Sequence, residues 1–137
     1  MLGWFLIATT HHSHLNIKRI MKTIFAKHIP FKGYKCLALW PFIFVRKDRK
    51  DRYTQVDERH ERIHGRQQVE MLFLPFYLWY GIEYLVRALL YRNFKDAYYN
   101  ISFEQEAYLK EYDKKYLDTR RHFAWLKYLF KKSFKEQ

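Results

Sequence analysis

His60, Glu61 and His64 stand in an H-E-x-x-H spacing, within the run Arg59-His60-Glu61-Arg62-Ile63-His64. On a helix, residues four apart lie one turn apart on one face, so both imidazoles can reach a single metal ion. Glu61, beside the first histidine, is placed to take a proton from a water held by that ion. Metal-assisted hydrolysis needs such a set: two imidazole ligands and a carboxylate as general base. The cofactor this pattern implies is Zn2+.

Zinc that performs chemistry keeps three protein ligands and one open position. Downstream of the motif, Glu70, Glu83, Glu104, Glu106, Glu111 and His122 are candidates for the third. The stretch Glu104-Gln105-Glu106-Ala107 stands out. A glutamate in the first turn of a helix, followed three residues later by alanine, lets a second helix approach the first and leaves room for an ion. Gln67, one turn after His64, can orient a ligand from behind.

H-E-x-x-H followed by E-x-x-A on a later helix resembles the gluzincin group of zinc metallopeptidases, including membrane-associated members. The resemblance implies Glu104 as third ligand, with Glu106 the fallback in the E-x-E spacing, and Glu61 as general base. It also implies a zincin-like helical core. The stretches Phe31–Lys35, Phe44–Lys47, His60–Gln67 and Asn100–Tyr108 are similar to a set of small bacterial proteins, a likeness covering most of residues 23–120. That likeness implies a peptidase-like fold and brings no substrate. One departure from the zincin pattern is the charge around the motif, Glu58, Arg59 and Arg62, where uncharged residues are the rule.

The elements that must hold these residues can be read in outline. Residues 23–47 are strand-like, punctuated by Pro30 and Gly33, and Leu37–Val45 reads as one or two short strands or a hairpin around Pro41. Arg46–Arg52 is a charge run, expected as a solvated loop. A helix starts near Thr54 or Asp57, with Asp57 and Glu58 in the turn where the helix dipole favours acid. Residues 71–91 hold only two charges, Glu83 and Arg87, spaced to pair. As one straight helix they would reach about 31 Å, the thickness of a hydrocarbon core. A continuous rod would carry Glu104 too far from the histidines. The site therefore predicts a break near residue 73, at Pro75, and a second helix running back. Ser102 and Gln105 form an S-x-x-Q box that predicts the start of the next helix, continuing to about Leu117. In the tail, Phe123, Leu126, Phe130 and Phe134 keep helical spacing among Lys127, Lys131, Lys132 and Lys135, the pattern of a basic amphipathic helix on a membrane surface.

Composition bounds the rest. The chain has 137 residues, enough for one domain with a modest core. Four Gly and three Pro against 12 Tyr, 12 Phe and 4 Trp exclude a disordered chain and a turn-rich all-β fold. The fold class expected is α+β and predominantly helical, with a short N-terminal hairpin or edge strands. Met1–Ile20 reads as an extension from an upstream start, since Met21-Lys22-Thr23 is the more natural beginning; residues 21–137 then form the single domain. His11, His12 and His14 fall in that extension, and His28 and His122 read as exposed or structural. Cys36, the one cysteine, excludes an internal disulfide and reads as core. No G-x-G-x-x-G, P-loop or G-x-S-x-G is present. The net charge of +12 fits an anionic membrane surface, and the Trp and Tyr load favours that partner over nucleic acid, for which no recognised module appears. The expectation is a membrane-associated zinc metallopeptidase acting on a peptide or protein, at an inner membrane or its cytoplasmic face. The alternative is a non-catalytic basic protein of a membrane surface or scaffold, or one in the cytoplasm.

Overall fold

The computed structural model describes residues 21–131; the extension at 1–20 and the tail residues Lys132, Phe134 and Lys135 lie outside them. Within that span the chain is α+β and mostly helical. Strands β1 (Lys22–Ala26), β2 (Cys36–Leu39) and β3 (Phe42–Arg46) form one sheet in the order β1-β3-β2. β2 and β3 make the hairpin, with Leu39 opposite Phe42. Trp40 and Pro41 are its turn, so no N–H is asked of the proline, while its carbonyl accepts from Lys22 N at 3.0 Å. β1 joins β3 in parallel. Ile43 and Val45, two apart on β3, bury on one face with Met21 and Ala38. The charge run is not a plain loop: Lys47–Arg52 winds into a 3-10 turn that buries nothing.

Helix α1 (Gln55–Glu70) begins at a capping box. The Thr54 hydroxyl accepts from Asp57 N, and the Asp57 carboxylate accepts from Thr54 N at 2.8 Å. Such a cap contributes about 1 kcal/mol. α1 lies between the sheet and a later helix, α4 (Ser102–Lys110). Its buried side chains are nearly all polar; Ile63 is the one hydrocarbon among His60, Glu61, His64, Arg66, Gln67 and Gln68. At Gly65 a Cβ would stand 2.3 Å from Met21 Sδ, so a larger residue would require the flexible Met21 side chain to shift. Gln68 reaches the sheet as well: its amide donates to Ala38 O at 2.8 Å and accepts from Trp40 N at 2.9 Å.

The chain does turn between the two long helices, through 113°. Proline is not the cause. α1 stops at Glu70, and Leu72 and Phe73 both take positive φ, 55° and 60°. Pro75 lies in the first turn of α2 (Leu74–Tyr91), where its missing N–H costs nothing. Left-handed backbone at a non-glycine residue costs about 1–2 kcal/mol. Two positive-φ residues in a row, both exposed, make the elbow.

After α2 come α3 (Phe94–Tyr99), capped by Asn93, then α4, then α5 (Tyr116–Thr119). The predicted S-x-x-Q box does not form. Ile101 is the N-cap of α4, and Ser102 is already helical. Its N–H and hydroxyl both donate to the Glu83 carboxylate of α2, at 2.8 and 2.6 Å. A carboxylate is the stronger acceptor and suits the positive end of the helix, so Glu83 displaces the local box. Arg87 pairs with the same carboxylate, as its spacing predicted. α4 stops at Lys110, short of Leu117. The amphipathic helix expected over 120–135 is, as far as residue 131, a single 3-10 turn, Ala124–Tyr128. It is pinned because Trp125 packs on Phe103 in a second core with Phe76 and Ile101.

Candidate metal centre

His60 and His64 face into the seam between α1 and α4, and both are buried. Their Nε2 atoms are 3.0 Å apart. Across the seam, Glu104 brings its carboxylate to both: Oε2 is 3.3 Å from His60 Nε2 and Oε1 is 3.4 Å from His64 Nε2. Glu104 is placed by the first turn of α4, whose start is fixed by Glu83. Tyr80 of α2 donates to Glu104 Oε1 at 2.7 Å. The other oxygen, Oε2, is buried with no hydrogen-bond donor in bonding geometry, although His60 lies within ion-pair distance. Among the described residues, these three are the one group of His, Cys, Asp or Glu side chains whose ligand atoms converge as a metal site requires.

The back of each imidazole is held. His60 Nδ1 lies 2.8 Å from Glu111 Oε2, and His64 Nδ1 lies 2.8 Å from Gln67 Oε1. Carboxylate and amide oxygens only accept, so each Nδ1 carries a proton, and in the neutral form of each ring Nε2 presents a lone pair to the seam. Gln67 is thus no surface residue: it is buried and holds His64 from behind. It also donates to Phe103 O and Glu106 Oε2, which ties α1 to α4. The Tyr108 ring packs against His60 at 4.5 Å.

Burial works to lower the His60 pKa, but the Glu104 and Glu111 carboxylates beside the ring outweigh it and push it up to about 10. His64 is likewise raised: burial opposes, and the Glu104 charge wins. For Glu104, burial acts upward, while the charge of His64 and hydrogen bonds from both histidines hold it well below the usual carboxylate range. The pocket as built strongly favours positive charge between these groups.

Glu106 is not brought to the histidines. Arg120 binds both its oxygens, at 2.5 and 3.1 Å, and Tyr116 donates to it at 2.9 Å. The two glutamates are about 200° apart around the helix, which sends them to different neighbours. Glu70 belongs with Arg120 too. Glu83 and Arg87 cap and brace α4. His122 sits beside Glu70 with an exposed ring, and His28 is exposed.

Glu61 is buried and lines a cavity of about 400 Å³ with His60, His64, Glu104, Cys36, Leu37, Ala38 and a wall of aromatic residues from α2. Cys36 is half-buried, packs on the sheet core and faces this space; burial first, then the charge of Glu61, push its thiol up. A second, more polar hollow shares His60 and Glu61 and adds Lys35, Lys95, Tyr99 and Glu111. The charged neighbours of the motif are turned elsewhere. Arg62 binds Glu58 at 2.6 Å, Arg59 binds Glu111 O at 2.6 Å, and none of the three lines either hollow.

Tyr80, Tyr108 and the orienting role of Glu111 are new from the structure. Glu111 had a signal: seven residues after Glu104, it falls on the same helical face. Tyr80 had none beyond its place in an aromatic-rich helix. No protein-family model, curated protein or solved structure matches the chain.

Proposed function

We propose that the protein is a zinc-dependent peptidase, with His60, His64 and Glu104 holding the metal and Glu61 acting as general base. One observation carries this reading: three side chains from two helices converge, with the two imidazole Nε2 atoms 3.0 Å apart, Glu104 Oε2 3.3 Å from His60 Nε2 and Glu104 Oε1 3.4 Å from His64 Nε2. Ligands at the usual zinc distances in a tetrahedron are about 3.3 Å apart. The unpartnered, buried Glu104 Oε2 supports the same reading, since a cation would satisfy it. Two imidazoles and one carboxylate suit zinc better than magnesium or calcium, which favour all-oxygen sets.

Bound there, zinc would supply Lewis acidity toward a carbonyl and lower the pKa of a water. The remaining work belongs to the chain. Glu111 and Gln67 keep the imidazoles in the ligating tautomer, and Tyr80 fixes the carboxylate. Glu61 takes the proton of the attacking water and returns it to the leaving amine. An extended peptide has a surface to lie on. β2 is an edge strand beside the cavity, and Arg46 N bonds Lys35 O, so the backbone of Cys36 faces away from β3. The aromatic wall favours a bulky apolar side chain in the 400 Å³ hollow.

The test is metal content followed by hydrolysis. Protein reconstituted with zinc should hold about one ion per chain, as the three-ligand site requires. His60→Ala and Glu104→Ala should lose it. Glu61→Gln should keep the zinc and lose about 10²–10⁴ in peptide hydrolysis. Wild-type protein that takes up no zinc, or a Glu104→Ala variant that binds it as tightly, refutes the assignment.

A further inference from the structure

Helix α2 is turned inside out. Its only charged residues, Glu83 and Arg87, are buried against α4 and the segment after it. Its outer face is hydrocarbon. Leu74, Leu78, Ile82, Leu85, Val86 and Leu89 fall within an arc of about 120° at helical spacing. All six are exposed, Leu74 by 77% and Leu89 by 79%. They run along about 22 Å of helix axis. A surface helix in water arranges itself the other way round, and an apolar face of this extent marks an interaction site.

We propose that this face seats the protein flat on an anionic lipid bilayer, with α2 in the plane of the headgroup–acyl boundary. The face carries no polar side chain, whereas an interface between proteins of ordinary size makes about ten hydrogen bonds. The charge decides between lipid and a second copy. At +12, two copies repel, and an anionic surface attracts. Exposed cations stand around the helix: Arg92 and Lys95 past its C-terminal end, and Lys127 and Lys131 on the segment that the Trp79–Trp125 contact and the Arg87–Leu129 hydrogen bond hold against it. Trp79 and Tyr77, half exposed on its flanks, are of the kind that settles at headgroup depth. No single helix among the described residues is long and apolar enough to cross a membrane, so the seat is lateral. The contact is α2, with the C-terminal segment contributing charge only, and it stands whether or not the histidine site binds metal.

The test is flotation of the full chain with vesicles of equal parts phosphatidylglycerol and phosphatidylcholine. Wild type should float, and should bind vesicles of phosphatidylcholine alone more weakly. Leu78→Gln, Leu85→Gln and Leu89→Gln combined should cut partitioning about a hundredfold. The single Leu89→Gln, at the most exposed of these positions, should cut it severalfold and serves if the triple variant does not fold. Wild type that stays with the free protein, equal flotation on both lipids, or variants that float like wild type would each overturn the proposal. A wild-type dimer that the triple variant splits, with vesicle binding unchanged, would give the face to a second copy instead.

Discussion

Two polar clusters lie buried along the seam of α1 and α4, supplied by glutamates only two residues apart. Around Glu106 the fold provides its own cation. Arg120 is drawn in from beyond α5, takes Glu106 and Glu70 together, and is raised further above its ordinary pKa because their hydrogen bonds outweigh its burial. Around Glu104 the neighbours are two imidazoles, a tyrosine and, behind His60, another carboxylate. The first cluster is electrically closed by residues of the chain. The second is arranged to receive a positive charge. Burial of an acid on one helix face therefore gives an ion pair with an arginine in one case and a cluster with imidazoles in the other, according to which partner the opposite element offers.

The comparison breaks most visibly at Arg120. Arg120→Met removes the guanidinium that two buried carboxylates share and should cost about 3–5 kcal/mol of unfolding free energy in urea, whether or not zinc is present. A variant as stable as wild type would show that this cluster is not closed by its arginine. Next in size is Glu111→Gln. It keeps the shape behind His60 but removes the charge, and zinc affinity by competitive titration should weaken about 10–100-fold with little change in stability. Unchanged affinity would make Glu111 a bystander.

A pH series on chelated protein separates the clusters further. His60 is raised from 6.5 to about 10, so its stabilisation is full below pH 6.5 and is lost as pH rises through about 10. Glu104 is lowered, so its contribution is present above pH 4.5 and is lost on acidification. The urea midpoint of chelated protein should fall between pH 6.5 and 10, and zinc should flatten that slope; a flat profile without zinc would contradict the coupling. The smallest effect belongs to neither cluster. Leu72→Gly relieves a positive φ at an exposed elbow residue and should move stability by about 1 kcal/mol or less, with zinc binding intact. A loss of zinc there would mean that the elbow itself aligns the site.

Much of the site was legible because it rests on short spacings. His60 to His64 is one turn, Glu83 to Arg87 is one turn, and the need for Glu104 to come back required a bend that α1 and α2 do make. What was hidden depends on contacts between distant segments. Nothing near Ser102 says that Glu83 will cap it, nineteen residues away in sequence. Nothing near Arg120 says that it will be buried, because its two partners lie on other helices. Proline drew attention to residue 75, yet the bend is made two residues earlier by backbone that no side-chain preference announces. The scarcity of charge in residues 71–91 marked an apolar helix without saying which side faces the protein. In the tail, the spacing of Phe123, Leu126 and Phe130 looked like a helix face; all three are exposed, and Ala124, Trp125 and Tyr128 between them make the contact.

The Gln68 amide has a consequence for assembly. It takes Ala38 O and Trp40 N, the positions on the outer rim of β2 that another strand would pair with. A side chain thus stands in for a neighbouring chain and stops the sheet from growing at its turn end. The open stretch of this rim is therefore confined to the Cys36 end of β2, where the strand borders the cavity that holds the histidines.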